Sequence, residues 1–572
     1  MNLGLSTRRQ NLAIGKSLAG VPELLTPLTF FVVALCLGAV VLAVYSPALK
    51  FQFVLDDHRF TGDPRIQSPD HVWDYFANYV WAQYTGGPPS FYRPLFILWL
   101  RINFILSALS PWGWHLLSIT KHLVVAVLLG LLVLRLLRDR IAALIAATLF
   151  ALHPAQTESV AWVTVPDPLM SVGILGAVLL YLKWVVVLPG GPTHERKSRK
   201  TVRTRKAPRP QASWLIASAA VCFAALLAKE TAIVLPALIF VLALLTPQAE
   251  NADADFGVRL MLALRQTVPF LCVTVLYLLM RFNALGGKLG SRTQLLPWST
   301  VLLSWPATLG FYVKVLLWPD RSRAFADPTL AEEFSFRGVL MPVLGVGCAI
   351  AILAVALLWA WKKARRDLSH QDAANVEYAL LIGTLLLVLP ILLTLDLNAL
   401  NPGDFLHGRY AYLPSAGLML LVATAWHLAG KLRVPLLFAG GLLAIVFAAL
   451  AVSQEKQWKD DLTVFTVAHQ LAPRNAPVAH NLANANVQVA LQLADDGRCS
   501  EAMPVFEQVS QEYPQDWYAW AGLGDCFVQG NNLPKAEESL RKAAELSHDS
   551  RVTQQWQELR AHMGLPNSVP RD

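Results

Sequence analysis

Hydrophobic positions in this chain come in long blocks rather than at the regular spacing of a half-buried element. Residues 28–44, 123–137, 169–188, 339–361 and 378–395 are almost unbroken apolar runs. Several approach the length of about 20 residues that crosses a bilayer core. One such run could be a buried core helix, but so many in one chain define a polytopic membrane protein. From about Trp458 the pattern changes to polar helices. Two stretches, Pro473-Arg474-Asn475-Ala476 and Pro514-Gln515-Asp516-Trp517, each open a helix pair, and a further pair-like segment begins near His548. Small residues mark helix crossings at Ala483, Gly522 and Gly524, and in the following helix at Ala536 and Ala543. The spacing resembles that of the tetratricopeptide repeat, about 34 residues, with a small insertion around 494–497.

Composition agrees. Of 572 residues, 55% are hydrophobic and only 15% charged, against about 25% charged in soluble domains. The net charge of +9 sits in short loops between apolar runs, which is a topology signal and not a nucleic-acid footprint. Cys36, Cys222, Cys272 and Cys348 lie in apolar segments as small hydrophobes. Cys499 and Cys526 lie in the polar C-terminal part, where an oxidising space would let them pair.

Basic residues set the orientation. Arg8, Arg9 and Lys16 place the N-terminus in the cytoplasm, and no small-residue cleavage site follows, so the first run is a retained helix. Arg135, Arg138 and Arg140, then the basic segment 195–206, then Lys362, Lys363, Arg365 and Arg366 mark later inward ends. The amphipathic stretch through Arg101 and Asn103, after Phe91-Tyr92-Arg93-Pro94, reads as an interfacial helix. Residues 301–318, with Pro306 and Lys314, read as a re-entrant or interfacial piece. The expected architecture is all-α, with about eleven crossings by the apolar-window rule. Its parts are a cytoplasmic N-terminus at 1–27, a membrane domain at 28–455 with a first extracytoplasmic loop at about 46–115, and an extracytoplasmic repeat domain at 456–565.

In such a protein the informative residues are ionisable groups at helix ends, because burying a charge is costly. The topology puts Asp56-Asp57, Tyr92-Arg93, His153 with Glu158, Lys229-Glu230 and Arg409-Tyr410 on one side of the membrane. Singly each has a bland explanation: a solvated carboxylate pair, a helix stop at Pro154, a snorkelling lysine, a topology charge. Arg409, however, falls on the side the positive-inside rule disfavours. Together they supply carboxylates for proton transfer and cations for a phosphate. That combination suits attack by a hydroxyl on a sugar whose leaving group is a lipid phosphate, through an oxocarbenium-like state. No Gly-rich nucleotide cradle is evident. Carboxylates serve proton transfer and metals alike, so no cofactor is implied and the need for a divalent metal stays open.

These residues, in this order, resemble a known family. The elements Asp56-Asp57, then Tyr92-Arg93-Pro94-Leu95, His153-Pro154 with Thr157-Glu158 to Val163, Lys229-Glu230, Arg409-Tyr410 with Tyr412-Leu413-Pro414-Ser415 and Gly417, and a C-terminal repeat array are similar to the transmembrane and tetratricopeptide-repeat O-mannosyltransferases. That group belongs to the GT-C glycosyltransferases. The resemblance implies inverting transfer of a sugar, mannose by analogy, from a polyprenyl-phosphate donor to a hydroxyl of a protein or envelope glycan. It implies Asp56 as base with Asp57 able to exchange roles. His153, Glu158, Lys229, Glu230, Arg409 and Tyr410 become donor-phosphate or sugar ligands, with Tyr92 and Arg93 as first-loop support.

The pattern departs from the family at two places. Where the family often continues after the Trp with an arginine and then an aspartate two residues on, this chain has Pro166 and Pro168 with Asp167 between them, and Gly408 stands where eukaryotic members often carry Glu. Compact loops and a single short repeat array point to a bacterial inner-membrane protein with a periplasmic site. Expected partners are the lipid-linked donor, the acceptor, membrane lipids and a protein bound by the repeats; nucleic acid is not among them. The competing readings are a non-catalytic scaffold and a polysaccharide-assembly or transport protein. Against transport, the charges sit at helix ends and the membrane part shows no matched halves.

Overall fold

The computed structural model describes residues 26–83, 91–185, 212–246, 255–288, 295–319, 330–400, 406–547 and 549–566. The N-terminal basic residues, the basic segment 195–206 and His548 lie outside them. The described chain is helical, in two compact units, the larger ending just after Trp458 and the smaller starting with the helix at Asp461.

The larger unit is a bundle. Its helices are α1 Pro27–Tyr45, the short α2 Asp56–Thr61, α3 Pro94–Ser107, α4 Pro111–Leu137, α5 Arg140–Leu152, α6 Asp167–Trp184, α7 Ala212–Ala228, α8 Val234–Leu245, α9 Phe256–Ala284, α10 Trp298–Leu317, α11 Met341–Asp367, α12 His370–Leu393, α13 Tyr412–His427 and α14 Arg433–Glu455. Eight helices among the described residues are long and apolar enough to cross a membrane, and four shorter apolar ones accompany them. This is an integral membrane protein. On α11 and α14 large apolar side chains such as Ile352, Val355, Phe438 and Ile445 are exposed, as lipid-facing surfaces require.

The turns sort into two ends. At one end the α4–α5 turn meets the α13–α14 turn: Asp139 caps α5 by accepting from the Ile141 and Ala142 amides and lies 2.9 Å from His427 and 3.2 Å from Arg433. Arg138 closes α4 in the left-handed conformation, φ 53°, the place a helix usually gives to glycine. Arg365 at the end of α11 pairs with Glu377 on α12 at 2.6 Å. At the other end lie the residues after α1, α5, α7, α9 and α12 and before α6 and α13. Sequence position along alternating helices thus decides which residues share an end.

Two helices do not fit simple alternation. α3 keeps to the second end: Arg101 donates to the Ile66 carbonyl and Asn103 to that of Trp99. α10 has 20 residues and passes the length and hydropathy test for a span, with Pro306 inside it. Yet hydrogen bonds at both its ends and within it reach chain at the second end. Just before it, the Leu296 amide donates to Asn398; Trp305 donates to the Leu395 carbonyl; and the Leu316 carbonyl accepts from His153.

Close crossings use small residues, as membrane helices do when packing replaces the hydrophobic drive. A Cβ on Gly417 of α13 would sit 2.5 Å from the Gly383 carbonyl oxygen and the Leu387 nitrogen of α12.

The smaller unit stacks α15 Asp461–Leu471, α16 Ala476–Asp495, α17 Cys499–Glu512, α18 Trp517–Gln529, α19 Leu533–Leu546 and α20 Ser550–His562. A Cβ on Gly522 would lie 2.3 Å from the Phe506 ring, and one on Gly524 2.5 Å from Leu540. Ala536 and Ala543 are fully buried. The insertion near 494–497 is a longer α16 turning at Gly497, φ +76°. Cys499 and Cys526 are bonded, with Cα atoms 5.3 Å apart, so α17 and α18 are tied covalently across the boundary between two repeats.

Candidate functional site

A cavity of about 640 Å³ opens at the second end of the bundle. That is the size of a small-molecule site. Its charged lining comes from separate segments: Asp56 and Arg59 after α1, Arg93 before α3, Asp167 at the start of α6, Lys229 and Glu230 between α7 and α8, Arg281 near the end of α9, Asp396 after α12, and Arg409 before α13.

The cations are held in place by carboxylates. Arg93 clasps Glu230 through two bonds, Nε to Oε2 at 2.9 Å and Nη2 to Oε1 at 2.5 Å, and its guanidinium lies over the Phe91 ring. The Lys229 ammonium donates to both oxygens of Asp167, at 2.6 and 2.7 Å, with the Tyr410 ring 5.0 Å away. Arg409 lies over Trp162 at 4.6 Å and Tyr410 at 5.3 Å. Behind it Glu158, 2% exposed, accepts from Arg409 Nη1 at 3.1 Å, from the Arg409 amide at 3.1 Å, and lies 3.0 Å from His407 Nδ1. Burial alone would raise the Glu158 carboxyl; His407 and Arg409 outweigh it and hold the group below its ordinary value. A buried ion pair adds little net stability, but it keeps a cation charged and aimed.

Of the residues singled out from the sequence, Asp56, Arg93, Lys229, Glu230, Arg409 and Tyr410 line this one cavity, and Glu158 stands directly behind Arg409. The other three do not line it. Tyr92 is buried and donates its hydroxyl to the Phe76 carbonyl. His153 is fully buried: Nδ1 accepts from the Ala155 amide, so Nε2 carries the proton that goes to Leu316. Burial pushes that imidazole down to about 4, which leaves it neutral. Asp57 is fully buried, held by Val54 and Thr164. Burial raises its carboxyl to about 7 against the pull of those hydrogen bonds.

Sequence reasoning passed over Arg59, Trp162, Asp396 and Tyr277, and took Asp167 only as the neighbour of a missing arginine. Asp167 carried a signal, an acidic residue at a helix start on the expected side, opposite a buried lysine. Arg59, one turn after Asp56, carried none. Where the family has an arginine before Asp167, Arg59 and Arg281 bring guanidinium groups to the same cavity from elsewhere. Among the described residues no three His, Cys, Asp or Glu side chains gather to hold a metal ion. One flank of the cavity is apolar, and Leu392 and Leu393 on it are 48% and 44% exposed.

An all-helical integral membrane bundle with a cavity of paired charges at one end, followed by a stack of helical repeats, is the class of protein these observations define. Residues 493–563 match the tetratricopeptide repeat family model. Over 534 residues the chain is 25% identical to protein O-mannosyl-transferase TMTC3 of Mus musculus, covering 89% of this chain and 54% of that protein. It is 26% identical over 525 residues to protein O-mannosyl-transferase Tmtc1 of Drosophila melanogaster, covering 77% of this chain and 58% of the relative. A 150-residue stretch is 32% identical to Mus musculus TMTC2, covering 26% and 18%. The chain thus resembles the transmembrane and tetratricopeptide-repeat O-mannosyltransferases over most of its length, while spanning about half the length of the curated relatives it matches. Among solved structures it aligns with the Archaeoglobus fulgidus oligosaccharyltransferase in the apo form (TM-score 0.38, 15% identity, 80% of this chain and 60% of that one). It also aligns with ArnT from Cupriavidus metallidurans bound to undecaprenyl phosphate (TM-score 0.36, 15% identity, 88% and 77%).

Proposed function

We propose that this protein is a membrane glycosyltransferase that moves a sugar, mannose by analogy with its relatives, from a polyprenyl phosphate to a hydroxyl of a protein or envelope glycan. The observation that carries this reading is the convergence of Asp56 with Arg93, Lys229 and Arg409 on one cavity, although they lie far apart in sequence. Asp56 takes the proton of the acceptor hydroxyl as its oxygen attacks the anomeric carbon. The bond from that carbon to the phosphate oxygen breaks, and the electron pair leaves with the phosphate. A single displacement inverts the configuration. Arg409 and its neighbouring cations stabilise the charge that builds on the leaving phosphate, fixed beforehand by their carboxylate partners. The exposed Leu392 and Leu393 flank suits a lipid chain entering from the bilayer.

The reading places this cavity, the loop at about 46–115 and the repeat domain at 456–565 on the extracytoplasmic side, in a bacterial inner membrane facing the periplasm. The basic turns at the opposite end of the bundle support that orientation, and the Cys499–Cys526 bond supports an oxidising surrounding for the repeats. The repeats would then hold a protein acceptor or partner.

The test is transfer of radiolabelled sugar from lipid-linked donor in membranes carrying wild-type protein or Asp56→Asn. Loss of the base should slow transfer by at least about 100-fold with the protein still present. Unchanged transfer removes Asp56 from that role, and binding of a partner without any turnover by wild type favours the scaffold reading.

A further inference from the structure

The second aspartate of the pair does not reach the cavity, and its surroundings give it a different task. Leu55, immediately before Asp56, has φ 56° and ψ −125°, the conformation of the first central residue in a type II′ turn. That position is ordinarily glycine, because a side chain with positive φ crowds the backbone. The turn is closed by the main chain, with the Asp57 amide donating to the Val54 carbonyl at 3.0 Å. It is closed a second time by the Asp57 side chain, whose Oδ2 accepts from the Val54 amide at 3.1 Å. The other oxygen, Oδ1, accepts from the Thr164 hydroxyl at 2.6 Å and the Thr164 amide at 3.2 Å. Thr164 belongs to the Trp162–Asp167 wall of the cavity, and Val54, Asp57 and the Thr164 hydroxyl bond are all buried.

One carboxylate therefore bridges both sides of the strained residue to the opposite wall. A residue held at positive φ without being glycine persists only where the surroundings over-determine it, and the Asp57 amide and carboxylate are among the groups that do so here.

We propose that Asp57 is a positioning residue: its carboxylate locks Leu55 in the II′ conformation and so aims Asp56 at the reacting centre. This rests on the reading of Asp56 as the base. It predicts a form of rescue that a reacting Asp57 would not show. If the carboxylate serves only to hold the turn, glycine at position 55 makes the turn without help.

Asp57→Asn presents an amide where two oxygens accepted, so the Val54 and Thr164 donors cannot all be satisfied. Displacement of a reacting group by an ångström costs on the order of 100-fold in rate. D57N should therefore lose about 100-fold in kcat for transfer from lipid-linked sugar, with the donor KM nearly unchanged. The double variant L55G/D57N should regain at least about tenfold of that, and L55G alone should stay within a few fold of wild type. A second arm needs no donor: the thermal midpoint of the purified full chain is measured for all four proteins, and L55G should raise it more in D57N than in wild type. If D57N does not accumulate, the return of folded, active protein in L55G/D57N is the same rescue. D57N with wild-type kcat, or a folded L55G/D57N as inactive as D57N, overturns the proposal, as does an L55G effect on the midpoint that is equal in both backgrounds. Should D56N itself retain transfer, the reading of the reaction fails, while the thermal arm still decides whether Asp57 holds the turn.

Discussion

Replacing Glu158 with glutamine tests whether the support behind Arg409 matters. The change keeps shape and volume and removes one negative charge from a site 2% exposed. In the native protein that carboxylate accepts two bonds from Arg409 and lies beside His407. Hydrogen bonds to charged groups contribute about 1.5–3 kcal/mol each, and removing one partner of a buried pair costs about 3–5 kcal/mol. Arg409 is 14% exposed on its side chain, so water compensates only in part, and about 3 kcal/mol is the reasonable expectation. The dependence on pH follows from the sign of the shift. Glu158 is held below its ordinary value of 4.5, so it adds stability above that pH and loses it as the pH falls through the lower folded value. The assay is the thermal midpoint of purified wild type and E158Q in detergent between pH 7 and pH 3. The variant should melt several degrees lower at neutral pH, and the gap should narrow as the pH falls below about 4.5 towards the lower folded value, where Glu158 takes up a proton and resembles glutamine. A gap that is absent at neutral pH, or constant down to pH 3, refutes the argument.

Two further outcomes follow from packing and from covalent closure. Gly417→Ala puts a methyl group 2.5 Å from the backbone of α12, where no flexible side chain can yield. Overpacking of this kind costs about 1–3 kcal/mol, seen as a lower thermal midpoint, and an unchanged midpoint would mean that the two helices part freely. In the repeat unit the Cys499–Cys526 bond spans a sequence separation of 27, worth about 3.5 kcal/mol in the chain-entropy description. Limited proteolysis of the full chain should cut the repeats faster in C499S/C526S, and equal cleavage would show the bond to be dispensable.

The membrane part was legible because burying charge is expensive, so the few ionisable residues at helix ends announce themselves, and alternation of most helices between two ends says which of them meet. Asp56 and Arg409 are separated by most of the bundle's sequence and still share a cavity. What the pattern left hidden was direction within a turn. Asp56 and Asp57 are indistinguishable as letters, yet one lines the cavity and the other is buried behind it, in the turn that the positive-φ Leu55 makes just before them. Length and hydropathy say less at α10: a helix of 20 residues has the dimensions of a crossing, while its hydrogen bonds reach Asn398, Leu395 and His153 at one end of the bundle. In the repeats, Gly522 and Gly524 were readable as crossing points since each faces a large side chain of the neighbouring helix, Phe506 and Leu540.

The motifs that carried the family resemblance are individually short and unspecific, while their order along the chain is specific, and the contacts explain why. Gln156, inside the motif that begins at His153, donates to Ser415 of the motif that ends at Gly417. Glu158 of the first holds Arg409 of the second. Arg93 of the first-loop motif clasps Glu230 of the hairpin tip, and Asp57 accepts from Thr164 just beyond the His153 motif. Tyr412 lies 2.8 Å from His122 on α4. Each motif thus satisfies polar groups of another in a place where an unpartnered buried donor or acceptor is costly. No one of them can change without leaving a group unpaired in its neighbour. Five signals that are weak one by one thus describe a single set of mutual contacts.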